Sequence, residues 1–316
     1  MTREQQETLG RLKILTKNFL SQANLLDISP ELMYRRLLME VIFYGTVTKT
    51  QQGTDALTRI GPMPMRFDLR KVFPMITERD ISSFWLQAVG EIFCFINGGR
   101  TLEDLKKFGC HWWGPWATEI KCSKRGLETG DLGPGSYGAA FHDFPMVDGG
   151  GFNQLKNIVE QIIEFPHLRT HFVSPWIPQY TIRGTGKQQK VCVAPCHGWI
   201  NIRVLNGKLT LHMHQRSGDT PVGVPANMVQ YAALALAIAH VTGFEAHEYI
   251  HSFSDAHIYV DQLPAVEKIL MRETPALPTV SMDKTVTDLF DFRREHFVLN
   301  GDYHPGPGIK DIPVAI

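Results

Sequence analysis

The stretch APCHGWINIRVLNGKLTLHMHQRSGD, Ala194–Asp219, decides the fold. Two β-rich runs, Gly198 to Leu205 and Lys208 to His214, flank Asn206-Gly207, the dipeptide that favours a two-residue hairpin turn. Outward from this hairpin the pattern stays β-rich, with further runs at Thr170 to Trp176, Gln189 to Ala194 and His251 to Val260. A long apolar helix is expected over Ala226 to Thr242, stopped by Gly243. The first half reads differently. Met1 to Asn24 is polar and helix-compatible, a second helix is expected from Pro30 to about Phe43, and Ile81 to Ile96 is a strongly apolar helix with Glu91 inside it. Phe152 to Glu164 is another helix, Thr46 to Arg59 reads as a polar loop, and Cys110 to Tyr137 as an irregular Trp- and Gly-rich segment. The expected fold is one α+β domain, a mostly antiparallel or mixed sheet flanked by helices.

Lys plus Arg and Asp plus Glu number 32 each, so the formal charge is zero. Such a chain has no global reason to coat DNA or an anionic membrane, and any anion must be caught by a local pocket. No apolar run approaches the roughly 18–20 residues of a membrane span. Met1 to Leu20 is charged throughout and lacks the apolar stretch of a secretory signal. The five cysteines, an odd count without a CxxC, read as reduced thiols, so a cytoplasmic location is expected.

Four places carry candidate chemistry. Cys196 beside His197 has the residue types of a nucleophile and base, although a buried inert thiol is the commoner meaning of one cysteine. Arg216 and Ser217 form an anion cradle, and an arginine near a thiol lowers its pKa. Glu91, flanked by Val, Gly, Ile, Phe and Cys, would have its pKa raised by desolvation, which suits proton handling near neutral pH. His247-Glu-Tyr-Ile-His251 matches the H-E-x-x-H zinc pattern, with Glu267 downstream. That chemistry needs both histidines on one helical face, whereas this segment runs into strand, so no metal is expected.

In order, Ala194-Pro-Cys-His197, Gln215-Arg-Ser-x-Asp219, Gly223-x-Pro-x-Asn227, Tyr231, Ala239-His240 and Asp255-Ala-His-Ile-Tyr259 resemble the thymidylate synthase family. Asp131-Leu-Gly-Pro134, Tyr137-Gly138, Ser174-x-Trp176 and the end at Pro313-Val-Ala-Ile316 resemble it too. The likeness covers about residues 30–316, a catalytic domain after an N-terminal helical extension over 1–29. It implies one-carbon transfer from 5,10-methylenetetrahydrofolate to C5 of a pyrimidine nucleoside monophosphate. Cys196 would add to C6 of the ring. Catalytic roles would also fall to Glu91, Asn227, Asp219, Tyr137 and His197. Arg216, Ser217, Gln215, Arg169, Lys49, His257 and Tyr259 would bind the nucleotide, with Arg216 and Ser217 on phosphate and His257 and Tyr259 on the sugar hydroxyl. Trp113, Trp116, Asp219, Gly223, Ala315 and Ile316 would meet the folate. The family is a homodimer, a sheet face would form its interface, and Arg169 would reach the partner's phosphate site.

The chain departs from the family pattern in four places. Arg169 stands alone, followed by Thr170, where the family has two arginines. Lys49 in Lys-Thr-Gln-Gln-Gly-Thr54 stands where a phosphate-binding arginine is usual, keeping charge but not the bidentate fork. Ala226 replaces the phenylalanine before the pyrimidine-binding asparagine, and Lys121 to Gly130 is an insertion. The same fold supports two outcomes, reductive methylation of dUMP or hydroxymethylation by water. The retained tail and Trp113 favour the former, and Asn227 in place of Asp argues against cytosine. Chelators are expected to leave turnover unchanged; stoichiometric zinc in the purified protein by elemental mass spectrometry would restore the H-E-x-x-H reading.

Overall fold

In the computed structural model, which describes residues 1–22 and 28–315, the expected hairpin is the middle of the larger sheet. In chain order the strands that build the site are β1 (Thr46–Lys49), β2 (Asp55–Ile60), β3 (Met65–Asp68), β4 (Phe172–Val173), β5 (Trp199–Leu205), β6 (Lys208–Gln215), β7 (Gly218–Asp219), β8 (Glu245–Phe253) and β9 (Asp255–Tyr259). The larger sheet has the order β3-β8-β6-β5-β4, with β8 and β6 parallel and the other neighbours antiparallel. The smaller has the order β1-β2-β9-β7. The main helices are α1 (Arg3–Gln22), α2 (Met33–Tyr44), α3 (Trp85–Ile96), α4 (Tyr137–His142), α5 (Gln154–Glu164), α6 (Gly223–Thr242) and α7 (Leu263–Leu270).

Asn206 and Gly207 both have positive φ, 52° and 76°, the backbone that lets a two-residue turn match strand twist. The turn sets the register from Leu205 opposite Lys208 to Trp199 opposite His214. That register puts Ile200, Ile202, Val204, Leu209, Leu211 and Met213 on one buried face, each worth about 1.5–3 kcal/mol when fully removed from water. α6 covers this face, and α3 lies against α6 on the other side. Contrary to the sequence reading, α6 is apolar and long enough to cross a bilayer, but most of it is buried in this core. Its alanines let neighbouring elements come close, and Gly243, at φ 76°, ends it in a left-handed turn. Leu12 and Thr16 bury α1 against the body of the protein.

Four expectations are corrected. Thr46 to Arg59 is not a loop but the β1–β2 hairpin, paired from Thr46 opposite Thr58 to Lys49 opposite Asp55. Thr48, Ala56 and Thr58 lie on its cleft face, while Leu57, on the opposite face, packs into the core. Gln189 to Ala194 forms no strand. Its backbone bonds go to loops instead, Lys190 N–H to Tyr180 and Cys192 N–H to Leu132, so it is an extended wall rather than part of a ladder. His251 to Val260 is two strands, because at Ser254 the chain leaves the larger sheet, its N–H on Gln215 O and its carbonyl accepting from Gly61, and enters the smaller. Likewise only Phe172–Val173 of Thr170 to Trp176 pairs. The H-E-x-x-H segment lies on β8, where residues four apart are about 13 Å apart along the strand.

Gly90 lets α3 sit against the loop that follows Phe108. A Cβ there would lie 2.0 Å from the Phe108 carbonyl oxygen. Gly90→Ala is therefore expected to lower the urea midpoint by the equivalent of about 1–3 kcal/mol. Gly10→Ala, where nothing lies within 4 Å, is expected to raise it by about 0.5–1 kcal/mol. Equal effects at the two positions would contradict this close packing.

Candidate active site

The two sheets, α3, the N-terminus of α6 and the C-terminal segment enclose a cleft of about 1100 Å³. Of the residues to which the family resemblance gives a role and which the structure describes, all but Arg169 line it; His247, His251 and Glu267 of the zinc pattern do not. Ile316 lies outside the described residues. Cys196 enters from the loop before β5 and Arg216 from the end of β6, because the hairpin brings its two outer ends together. The Arg216 and Ser217 N–H groups both reach the Cys196 carbonyl, at 2.8 and 3.4 Å.

The Arg216 guanidinium is aimed by the backbone around the thiol. Its Nε donates to Pro195 O at 2.7 Å, and its Nη2 donates to Ala194 O at 2.9 Å and lies 3.4 Å from Cys196 Sγ. Its carbon sits 5.5 Å above the Trp176 ring. Arg216 lowers the Cys196 pKa as expected, but it is not the larger influence. Burial pushes the Cys196 thiol above the ordinary value, and Arg216 offsets that only in part. His197 is not the base. Its Nδ1 pairs with Tyr231 OH at 2.7 Å, its ring stacks on Tyr137, and burial lowers its pKa to about 3. Tyr137, at the start of α4, accepts from the Cys196 N–H at 2.6 Å and fixes the loop instead.

Glu91 has the buried position expected of it, and desolvation raises its pKa. Its Oε1 accepts from the Trp112 indole at 2.7 Å and from the Trp113 indole, with the Cys110 thiol at 3.8 Å. Its Oε2 accepts from Gln230 Nε2. From there the bonds continue. Asn227 Nδ2 donates to Gln230 Oε1 at 2.8 Å, Gln215 Nε2 donates to Asn227 Oδ1 at 3.0 Å, and Gln215 Oε1 meets His251 Nε2 at 2.8 Å.

Across the cleft, Asp219 is held by Gln262 Nε2, 3.1 Å from each oxygen, and by the Val222 N–H at 3.3 Å. Burial raises its pKa to about 6. His257 Nδ1 pairs with Asp255 at 2.7 Å, which turns its other nitrogen away from that carboxylate, and the Tyr259 ring lies edge-on to it. Trp113 and Trp116 are neighbours at 6.0 Å. The tail lines the cleft through Ile312, Val314 and Ala315, and Gln262, which holds Asp219, also holds Pro313 O at 2.9 Å. Ala226 and Gly223, on the first turn of α6, and Ala315 complete this side.

Lys49 lines the cleft, but its ammonium pairs with Asp55 at 2.8 Å across the hairpin. Arg169 is exposed outside the cleft, between α5 and β4. Sequence reading missed four cleft or network residues. Arg183, bonded to Gln51 at 2.7 Å, adds a cation to the wall, and Arg79 lines the same cleft. Trp112 and Gln230 hold Glu91. The available signals were two consecutive indoles, and a glutamine one helical turn after Asn227 on the same face.

A family model described as thymidylate synthase matches residues 32–316, nearly the whole chain. The chain belongs to that family, whose members transfer a one-carbon group from methylenetetrahydrofolate to a pyrimidine nucleotide.

Of the five cysteines, only Cys196 is not fully buried. Iodoacetamide is therefore expected to label one site rapidly, with a rate midpoint above the ordinary thiol value of 9.0, and Arg216→Gln should move that midpoint higher. A midpoint below 9.0, measured by mass spectrometry of the labelled peptide, would show that Arg216 outweighs burial.

Proposed function

We propose that the chain methylates dUMP reductively, giving dTMP and dihydrofolate. The observation that carries this reading is the convergence of Cys196, the Arg216–Ser217 anion cradle and the Asn227 carboxamide on one cleft. The phosphate binds Arg216 and Ser217 through charge-assisted bonds, the sugar hydroxyl meets His257 and Tyr259, and the ring lies against Asn227. Arg169 of a second copy completes the phosphate site across a dimer formed by the open face of the larger sheet, where Asn201, Arg203, Thr210 and His212 are half-buried. Arg183, and Lys49 if its ammonium exchanges Asp55 for phosphate, are among the cleft-lining cations of this chain that can supplement it.

Cys196 loses its proton and its sulfur electron pair forms a bond to C6. The ring's C5–C6 pair moves toward C4, and its oxygen takes up the charge near Asn227. C5 then attacks the folate's one-carbon unit, and the bond from that unit to one of its two folate nitrogens breaks, its electron pair going to that nitrogen, so the unit stays bonded to C5 and to the other nitrogen until the next step. Loss of the C5 proton expels the folate amine and leaves an exocyclic methylene. Hydride from the folate converts it to a methyl group, and the Cys196 thiolate leaves. Glu91 serves proton movement at the ring through its ordered neighbours. Asp219 contacts the pterin. Trp113, Trp116, Gly223 and the tail residue Ala315 form the folate side and exclude water, as does Ile316. The location fitting five unpaired thiols is cytoplasmic.

A second reading has one observation in its favour. Ala226 lines the cleft where its side chain ends at Cβ, which leaves room for water to reach the methylene and give a hydroxymethyl product with tetrahydrofolate.

Incubation with dUMP and methylenetetrahydrofolate separates the two. A product heavier by a methyl group with stoichiometric dihydrofolate is expected, and a hydroxymethyl product without dihydrofolate overturns the methylation reading. Unchanged dUMP, UMP, dCMP and CMP would remove both. Cys196→Ser should abolish turnover while retaining nucleotide binding by calorimetry. The Asp219 carboxyl is charged above about pH 6 and neutral below. If its charge receives pterin N–H groups, the KM for folate should rise as pH falls through that value, and Asp219→Asn should remove the dependence.

A further inference from the structure

Gln230 lies between Glu91 and Asn227 and touches both. Its own surface exposure is nil, so its amide can bond only to protein. A carboxamide has a donor end and an acceptor end, and each neighbour dictates which end it meets. The run from Ser217 and His251 to Glu91 therefore has a sense. Indole nitrogens only donate, so with Trp112 and Trp113 on Oε1 that oxygen is an acceptor. Oε2 faces the Gln230 amino group. Gln230 Oε1 then requires Asn227 Nδ2, and Asn227 Oδ1 requires Gln215 Nε2. The far end agrees independently. Gln215 Nε2 also donates to the Ser217 carbonyl at 3.0 Å, and a carbonyl cannot donate. His251 must then donate from Nε2 to Gln215 Oε1, and its Nδ1 is buried with no partner among the described residues.

Both ends thus impose one orientation on Asn227. Inside the network it uses one N–H and one oxygen lone pair, leaving one of each for the cleft. The two sites are not interchangeable in space. A uracil edge offers an acceptor at O4 and a donor at N3. A cytosine edge offers a donor at N4 and an acceptor at N3. Rotating the amide by half a turn exchanges the two readings.

We propose that Gln230 is a specificity-determining positioning residue, which joins Glu91 to Asn227 and holds the Asn227 amide in the sense that reads a uracil rather than a cytosine edge. This rests on the dUMP reading above. It adds that base choice is enforced from behind Asn227, by a residue that touches no substrate. His251, whose sequence pattern suggested zinc, is the terminal donor of the same run.

The test compares dUMP and dCMP binding to the full-length protein by calorimetry. In the unaltered protein dUMP should bind at least about a hundred-fold more tightly, since buried polar groups left mismatched reject an analogue strongly. Gln230→Glu still presents an acceptor to Asn227 Nδ2 and should keep the preference within about ten-fold of that value. Gln230→Lys presents only donors and can pair with Glu91, so the preference should fall about a hundred-fold or invert. Gln230→Leu, which places an apolar side chain in this buried position, should bring the two nucleotides within about ten-fold of each other. A role in folding alone would move the Glu and Lys variants alike. Retention of the dUMP preference in the Lys or Leu variant, or equal loss in Glu and Lys, overturns the proposal and leaves the dUMP reading standing. No preference for dUMP in the unaltered protein overturns the dUMP reading itself.

Discussion

A carboxylate cannot stay inside an apolar core unless donors surround it. Glu91 sits on α3 in such a core and receives two indoles, a carboxamide and, more distantly, a thiol. Each charge-assisted bond contributes about 1.5–3 kcal/mol. Together they tie three parts of the chain to one point. The Cys110–Trp113 loop is drawn onto α3, which Gly90 permits by admitting the Phe108 carbonyl. α6 is fixed in rotation because Gln230 must reach the same carboxylate. The end of β6 is fixed through Asn227 and Gln215. The cleft's polar floor is the consequence of accommodating one buried charge.

The thiol obeys a different balance. Arg216 is close enough to favour thiolate, yet Tyr137, His197 and the surrounding core exclude water from behind the sulfur, and desolvation prevails. The cation is oriented by backbone carbonyls rather than by a carboxylate, so its charge is not neutralised locally. In a chain of zero formal charge, this concentrates an unmatched positive group at the nucleophile, where an incoming phosphate can use it. Lys49 illustrates the alternative, since Asp55 already claims its ammonium.

Much of this was legible in the sequence. The Asn206-Gly207 turn, the apolar α6 stopped by Gly243 and the placement of Glu91 within α3 follow from local chemistry that tertiary context does not override. So did the ordered residues from Cys196 to Tyr259 that gather at the cleft. What escaped depends on three-dimensional neighbours. The β1–β2 hairpin looked like a loop because its open face is polar, and composition does not reveal which face is covered. His197 follows Cys196 in the chain, but its ring belongs to Tyr231 and Tyr137. Arg216 lowers the thiol's pKa as its proximity implied, yet the larger effect of burial was invisible from spacing. Gln230 carried no motif, because its importance comes from touching Glu91, 139 positions away.

The sense of the hydrogen-bond run from His251 to Glu91 can be read from a single imidazole. Histidine labelled with nitrogen-15 distinguishes the two neutral tautomers and the cation by chemical shift, and His251→Gln identifies the resonance among the 13 histidines. Burial holds His251 below its ordinary pKa, so at about pH 8 it should be neutral, with the proton on Nε2. A neutral ring with its proton on Nδ1 would mean that the run does not have the direction on which the orientation of Asn227 depends.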